Sequence, residues 1–314
     1  MTTKSSQQDP DYGRFDFVRK VGFFGGLSLI LVLISFGFIA AKGISYGIDF
    51  KGGTEIQVKF AQDVSIEQLR TSVANSSLGE IGVQSIGDKN EYLIRFQGQK
   101  GATDKETNEL LNKSIVTVKD HITKDFTTQG ADIRRVDTVG PQVGAELKRN
   151  GFLAVFYCLL VILIYVALRF DYKYAPGAVV CLAHDVVITL AIFILVGKEV
   201  NVPILAAMLT LIGYSLNDTI VVFDRIRETE HMYAEKGFGF IINKAINDMF
   251  VRTLITSGTV FISSLCLYIF AGGVVSDIAF AICIGVIFGT YSSIYVAAPL
   301  ILAMEKLNLS PRKV

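Results

Sequence analysis

The chain has 314 residues, of which 51% are hydrophobic and 19% charged, with a formal net charge of +1. These values exclude a disordered chain, a collagen-like repeat and a coiled coil, and the near-zero net charge offers no basic surface to nucleic acid. The distribution of charge excludes a soluble enzyme: residues 43–149 hold 29 of the 59 charged residues, and long uncharged stretches fill much of the remainder.

Residues 1–20 carry Lys4, Arg14, Arg19 and Lys20 and read as a cytoplasmic segment. Residues 21–41 are uncharged and long enough, as a helix, to cross ~30 Å of hydrocarbon. The run is too long for the apolar region of a signal peptide and lacks a clear small-residue cleavage site, so it is expected to persist as an anchor.

Residues 42–149 read as an external α+β domain. Residues 54–60 alternate apolar and polar, which predicts a strand. Residues 65–76 predict a helix with Ser65 and Gln68 as a capping box. Strands follow at 81–86 and 92–96, joined by the turn-rich 87–90. A second helix is predicted at 103–125, with Thr103 and Glu106 in capping-box positions, and a last strand at 131–139. The order βαββαβ is that of a ferredoxin-like domain, a fold that does not state its ligand. Gly52-Gly53 precedes a strand, not a helix, so it is not a phosphate cradle. His121 is read as a solvated residue, since no further metal ligands lie at suitable spacing. No nucleophile–base set is found. The expectation is no enzyme, no cofactor and no metal.

Five further spans are predicted at about 150–168, 174–197, 200–223, 253–272 and 278–304. Between them, residues 225–252 alternate apolar and basic positions (Phe238, Phe240, Ile241, Ile242, Lys244, Ile246), which suits a helix lying on the inner membrane surface. Residues 305–314 form a tail. With the N-terminus inside, segments 1–20, 169–173, 225–252 and 305–314 hold 14 Lys and Arg, against Lys198 alone in the two short outside loops. The bias places both termini in the cytoplasm and the large domain outside. Cys158, Cys181, Cys266 and Cys283 all fall within spans, so the external domain has no disulfide framework. They are read as small packing residues.

Charge inside a span is expensive and marks pathways or pairs. Asp218, within Gly213–Thr219, lies ~9 Å from the inner end of its helix at 1.5 Å per residue. Ser215 shares its face, with Asn217 and Thr219 adjacent as supporting polar groups. Arg252, opening the next span, is expected at similar depth. An Asp218–Arg252 pair would hold the carboxylate ionised, and its separation would allow protonation. Asp185, beside His184 near the bilayer midplane, is read as either a second proton site or a structural acceptor. Gly285 and Gly289 form a GxxxG suited to close helix packing.

At four of these places the sequence resembles the SecF side of the SecD/SecF family, half-length relatives of the resistance-nodulation-division transporters. They are Gly47-Ile48-Asp49-Phe50-Lys51-Gly52-Gly53-Thr54, Val139-Gly140-Pro141-Gln142-Val143-Gly144, Gly213 to Glu228, and Arg252 to Gly258, in that order. Lys51 departs from the family, where Thr is frequent. The resemblance implies six transmembrane helices, half of a larger bundle, in a bacterial inner membrane. It implies a SecD partner with a further carboxylate, the SecYEG channel with auxiliary membrane subunits, transient contact with an unfolded preprotein, and use of the proton motive force to promote translocation. It assigns Asp218 and Arg252 to proton passage. Two alternatives stay open: a proton-coupled exporter of small molecules or lipids, and a passive scaffold for channel assembly.

Overall fold

The computed structural model describes residues 12–74, 81–86, 90–97, 104–170 and 174–306. The chain begins with α1 (Phe17–Lys42), a helix whose apolar surface faces outward over most of its length. A single turn, α2 (Ile48–Lys51), leads into the α+β domain read above as external. There β1 (Gly53–Phe60), α3 (Ile66–Ala74), β2 (Ile81–Ser85), β3 (Glu91–Phe96), α4 (Asp104–Asp125) and β4 (Ala131–Val139) follow in order. The sheet order is β2-β3-β1-β4, every pairing antiparallel. That arrangement is compatible with the expected ferredoxin-like topology.

The period-two pattern of β1 decides which face is covered. Ile56, Val58 and Phe60 are buried against Leu69, Val73, Val118, Ile122 and Phe126 of the two helices. Each such side chain contributes about 1.5–3 kcal/mol on burial. The capping box at α3 is reciprocal: the Gln68 amide donates to Ser65 Oγ and the Ser65 amide donates to Gln68 Oε1, each at 3.2 Å. The capping box expected at Thr103 and most of the turn at 87–90 lie outside the described residues.

Six helices are long and apolar enough to cross a membrane. After α1 they are α5 (Pro141–Arg169), α6 (Ala175–Leu195), α7 (Val202–Met232), α8 (Phe238–Phe270), and a last span made of α9 (Gly273–Ser292), a π-helical turn (Ser293–Ala297) and α10 (Ala298–Lys306). Helix α9 packs against α6, α7 and α8. Helices α6 and α7 are the most enclosed, whereas α1, α5 and α8 present most of their apolar surface outward.

Helix ends differ from the hydropathy reading because hydropathy reports where charge begins, not where a helix stops. Helix α5 starts at Pro141, directly after β4, and carries Glu146, Lys148 and Arg149 before its apolar run. Residues 225–252 are not a separate surface helix. They are the ends of α7 and α8 around a turn at 233–237. Phe238, Ile241, Ile242, Ala245 and Ile246 are buried in the main bundle cluster with Phe17, Val166, Phe170 and Phe223. The same helical apolar stripe fits a membrane surface or a protein face, and here the protein face takes it.

Two fastenings hold the assembly. At the domain end, Tyr46 and Val200 form a parallel bridge, with the Gly47 amide donating to the Val200 carbonyl and the Val200 amide to the Ser45 carbonyl, both at 2.8 Å. Arg95 of β3 joins Glu55 (2.6 Å) to Glu199 (2.7 Å) of the α6–α7 loop. Asp49 accepts the Val202 amide at 2.9 Å, at the positive end of the α7 dipole. At the opposite end, buried Asn243 of α8 accepts the Phe17 amide at 2.8 Å and donates to the carbonyls of Tyr12 and Phe15. Asn247 adds a reciprocal pair with the Phe15 backbone.

Candidate functional site

The two carboxylates predicted in the spans are both buried, each on a different set of partners. Asp185 of α6 is 1% exposed. Its Oδ1 meets His184 Nδ1 at 2.9 Å, and its Oδ2 accepts from Ser215 of α7 (2.6 Å) and Ser292 of α9 (2.9 Å). Ser292 also accepts the Cys181 thiol at 3.1 Å, and Cys181 lies 3.7 Å from Thr219 Oγ1. Asp185 therefore ties three helices together. Cys181 stands one turn before Asp185 on the same face of α6, which makes it part of a polar cluster and not only a packing residue.

Asp218 of α7 is 3% exposed and accepts from Ser257 of α8 at 2.8 Å. Ser215 shares its helix face as expected, but its hydroxyl is committed to Asp185. The expected Asp218–Arg252 ion pair is not formed: Arg252 is exposed and makes no ion pair within 4.0 Å among the described residues. Helix geometry gives the reason. Ser257 sits at the depth of Asp218, and Arg252, five residues earlier, is ~7.5 Å nearer the terminal end and ~140° around the helix.

Arg252 instead belongs to a stripe. Arg252, Thr256, Thr259 and Ser263 are exposed along α8, and Thr210, Gly213 and Asn217 are exposed along α7. Each series steps by three or four residues, so each lies on one face. Asn217 is on this outer face, away from the Asp218 carboxylate. Between the helices runs a crevice of about 270 Å³ lined by Thr210, Tyr214, Thr259, Ser263 and Ser264 together with the apolar Leu211, Val260, Leu267, Ile282 and Val286. Tyr214 stands one turn before Asp218, so the crevice leads along α7 from the domain side toward the carboxylate.

The GxxxG glycines set the α9–α7 contact. A Cβ at Gly285 would lie 2.2 Å from Leu211 Cδ1, and one at Gly289 would lie 3.3 Å from Ser215 Cβ and 3.6 Å from Asp185 Oδ2. Their absence lets Ser215 and Ser292 reach one carboxylate oxygen. The glycines around the external segment do the equivalent at the domain end. Gly52 (φ +76°) and Gly144 interlock, a Cβ on Gly52 falling 2.8 Å from Pro141 Cα. Two of the sequence stretches that carry the family resemblance thus pack on each other.

Sequence reasoning missed Ser257, Ser292 and the part played by Cys181. The signal for Ser292 was present: Gly285, Gly289 and Ser292 form one helical stripe. Ser257 lies inside the Arg252–Gly258 stretch, but a serine one turn from a charged residue carries no mark of its own.

Comparison with known proteins gives two family matches. Residues 117–307 match the C-terminal model of protein export membrane protein SecD/SecF, and residues 37–64 match the SecD/SecF GG motif. The chain is similar to the protein translocase subunit SecF of Calditerrivibrio nitroreducens, 42% identical over 93% of this chain and 95% of that one. It is similar to the SecF of Escherichia coli O157:H7 at 35% identity, over the whole chain and 96% of the relative. The crystal structure of SecDF, a translocon-associated membrane protein from Thermus thermophilus, superposes with a TM-score of 0.80 at 33% identity. That match covers 95% of this chain but only 40% of the longer SecDF chain.

Proposed function

The chain belongs to the SecD/SecF family of protein export membrane proteins, as a multi-pass membrane protein of the SecF kind, and from that premise we propose that it carries protons through the Asp218 region to drive protein export. The observation that carries the proposal is a buried carboxylate set behind an exposed polar stripe. Thr210, Asn217, Arg252, Thr256, Thr259 and Ser263 face outward from helices that cross hydrocarbon. The four hydroxyls donate to carbonyls of their own helices, so the groups that lipid cannot satisfy are Asn217 and Arg252, which a neighbouring helix with polar side chains can. A SecD-like partner covers this stripe, supplies an acidic group for Arg252, and turns the crevice beside Tyr214 into an enclosed wet path.

In this mechanism a proton enters from the side of the external domain, which is periplasmic, with both chain termini cytoplasmic. It passes Tyr214 and loads on Asp218. The neutral carboxyl holds its link to Ser257 less strongly, and α7 shifts against α8. The start of α7 is tied to the external domain through Asp49, Val200 and Glu199, so the shift reaches that domain, which moves a preprotein emerging from the SecYEG channel. One charge crossing the membrane is worth roughly 2.3 kcal/mol per 100 mV. That biases a two-state motion but does not unfold a stable domain in one step. The chain acts as a coupling subunit and not as an enzyme.

Asp218→Asn, in the complex reconstituted with its SecD-type partner and the channel, tests the reading. Loss of proton-driven export, with ATP-driven insertion retained, is expected. Unchanged proton-driven export in that variant refutes it and leaves a scaffold role.

A further inference from the structure

The polar cluster around Asp185 contains a group that the Asp218 mechanism leaves unused. His184 is 4% exposed, and its Nδ1 is engaged by Asp185. Its Nε2 is buried and has no hydrogen-bond partner among the described residues. The ring stacks at 25° against Tyr291 of α9, with centroids 6.2 Å apart, which fixes its plane. The same residue lines a second crevice, of about 510 Å³, between α1, α6 and the π-turn with α10, bordered also by Ser28, Val180, Val187 and Tyr295. A buried nitrogen without a partner is a place where a proton or a donor is missing.

We propose that His184 and Asp185 form a second proton-binding unit, loaded at His184 Nε2. This deepens the proton-driven reading above and rests on it for its role in transport. The chemistry follows from the bonds. Ser215 donates to Asp185 Oδ2, and Ser292 shares its hydroxyl hydrogen between Oδ2 and the Gly289 carbonyl, the pattern of a carboxylate that accepts only. Asp185 Oδ1 then takes the Nδ1–H of a neutral imidazole, and Nε2 is left with an unpartnered lone pair. A proton added there gives an imidazolium against a carboxylate. The unit passes from a net charge of −1 to 0, and no bond to the serines need break.

The titratable groups facing the unit are few. Helix α6 itself presents Cys181, α9 presents Tyr291, and α7 presents Asp218 one turn beyond Ser215. Helix α1 presents Ser28, α5 presents Cys158, and the π-turn presents Tyr295. No cation among them competes for Asp185. Ser215 links the unit to the helix that carries Asp218, so the two carboxylates sit on one rod with separate hydroxyl partners.

Histidine-labelled nitrogen resonance spectra of the full chain, in nanodiscs with its SecD-type partner, test the proposal. The chain has three histidines. Signals of His121 and His231 are removed by His121→Gln and His231→Gln, which leaves His184 assigned in an otherwise native protein. The expected result is an Nε2 lone-pair resonance at about pH 9 that converts to an N–H resonance by about pH 5, one proton per chain. In Asp185→Asn the conversion is lost, because an imidazolium would stand there without a counter-charge. An Nε2 resonance unchanged across that range overturns the proposal, as does a conversion in Asp185→Asn identical to that of the native chain. The readout is independent of transport: failure of the Asp218 reading appears as proton-driven export by Asp218→Asn, and failure of this one appears in the spectrum.

Discussion

Replacing Gly52 by alanine isolates the join between the external domain and α5. Gly52 has φ +76° and ψ 155°, a backbone region that belongs almost wholly to glycine. Holding an alanine there costs about 1–3 kcal/mol. The added Cβ also falls 2.8 Å from Pro141 Cα and 3.0 Å from Pro141 N, and these are backbone atoms that cannot swing aside. Overpacking of that kind adds about 1–3 kcal/mol. A combined loss of roughly 2–6 kcal/mol equals a rise of about 30- to 20,000-fold in the local opening equilibrium at 1.4 kcal/mol per decade. Hydrogen exchange reads it directly, since the amides of Gly47, Gly52 and Val200 are bonded at 2.8 Å across or within this join. Gly82→Ala is the control: its Cβ meets nothing closer than 4.0 Å, and it lies on β2 in the same domain. Equal exchange at Gly47 and Val200 in the two variants would refute the claim that these glycines serve the interlock.

Three further outcomes are expected. Gly285→Ala destabilises the bundle by about 1–3 kcal/mol through Leu211, while Gly258→Ala, which meets nothing within 4 Å, is neutral or mildly stabilising; thermal unfolding of the purified chain separates them. Asn243→Leu strands the buried Phe17 amide and the Tyr12 carbonyl at about 1–3 kcal/mol for each group that water does not reach, while the Phe15 carbonyl keeps Asn247, and protease cleavage near residues 12–20 should rise at least tenfold. Arg95→Met leaves Glu55 and Glu199 facing each other; the pair is partly exposed, so the cost is about 1 kcal/mol, and adding Glu199→Gln should recover part of it in a double-mutant cycle.

The spans were legible because hydrocarbon excludes charge over a fixed length, and the sheet because β1 alternates with period two. Helix ends were not, since α5 and α8 continue through charged turns that an apolar count rejects. Residues 238–246 show the limit of periodicity: a stripe says that a face is covered, not by what. Site residues followed the same division. Asp185 and Asp218 are visible in sequence as isolated charges in apolar runs. Their partners are not, because Ser215 at i−3 of Asp218 could face either carboxylate, and the choice depends on how α6 and α9 are placed. The resemblance pointed to Arg252, whose own helix turns it outward toward whatever covers the stripe.

The clasp at Asn243 sets an order of events during synthesis. The bond from the Phe17 amide spans 226 residues. At ~5–20 residues per second of elongation, the first helix stays in the membrane for roughly 10–45 s before its latch exists. Within that interval α1 gains α6 to pack on and Lys42 gains the Ile194 carbonyl to bond, but the Phe17 amide of its first turn lacks Asn243. The far end of α1 is thus seated before its start, and a truncated chain that ends before α8 leaves that first turn loose.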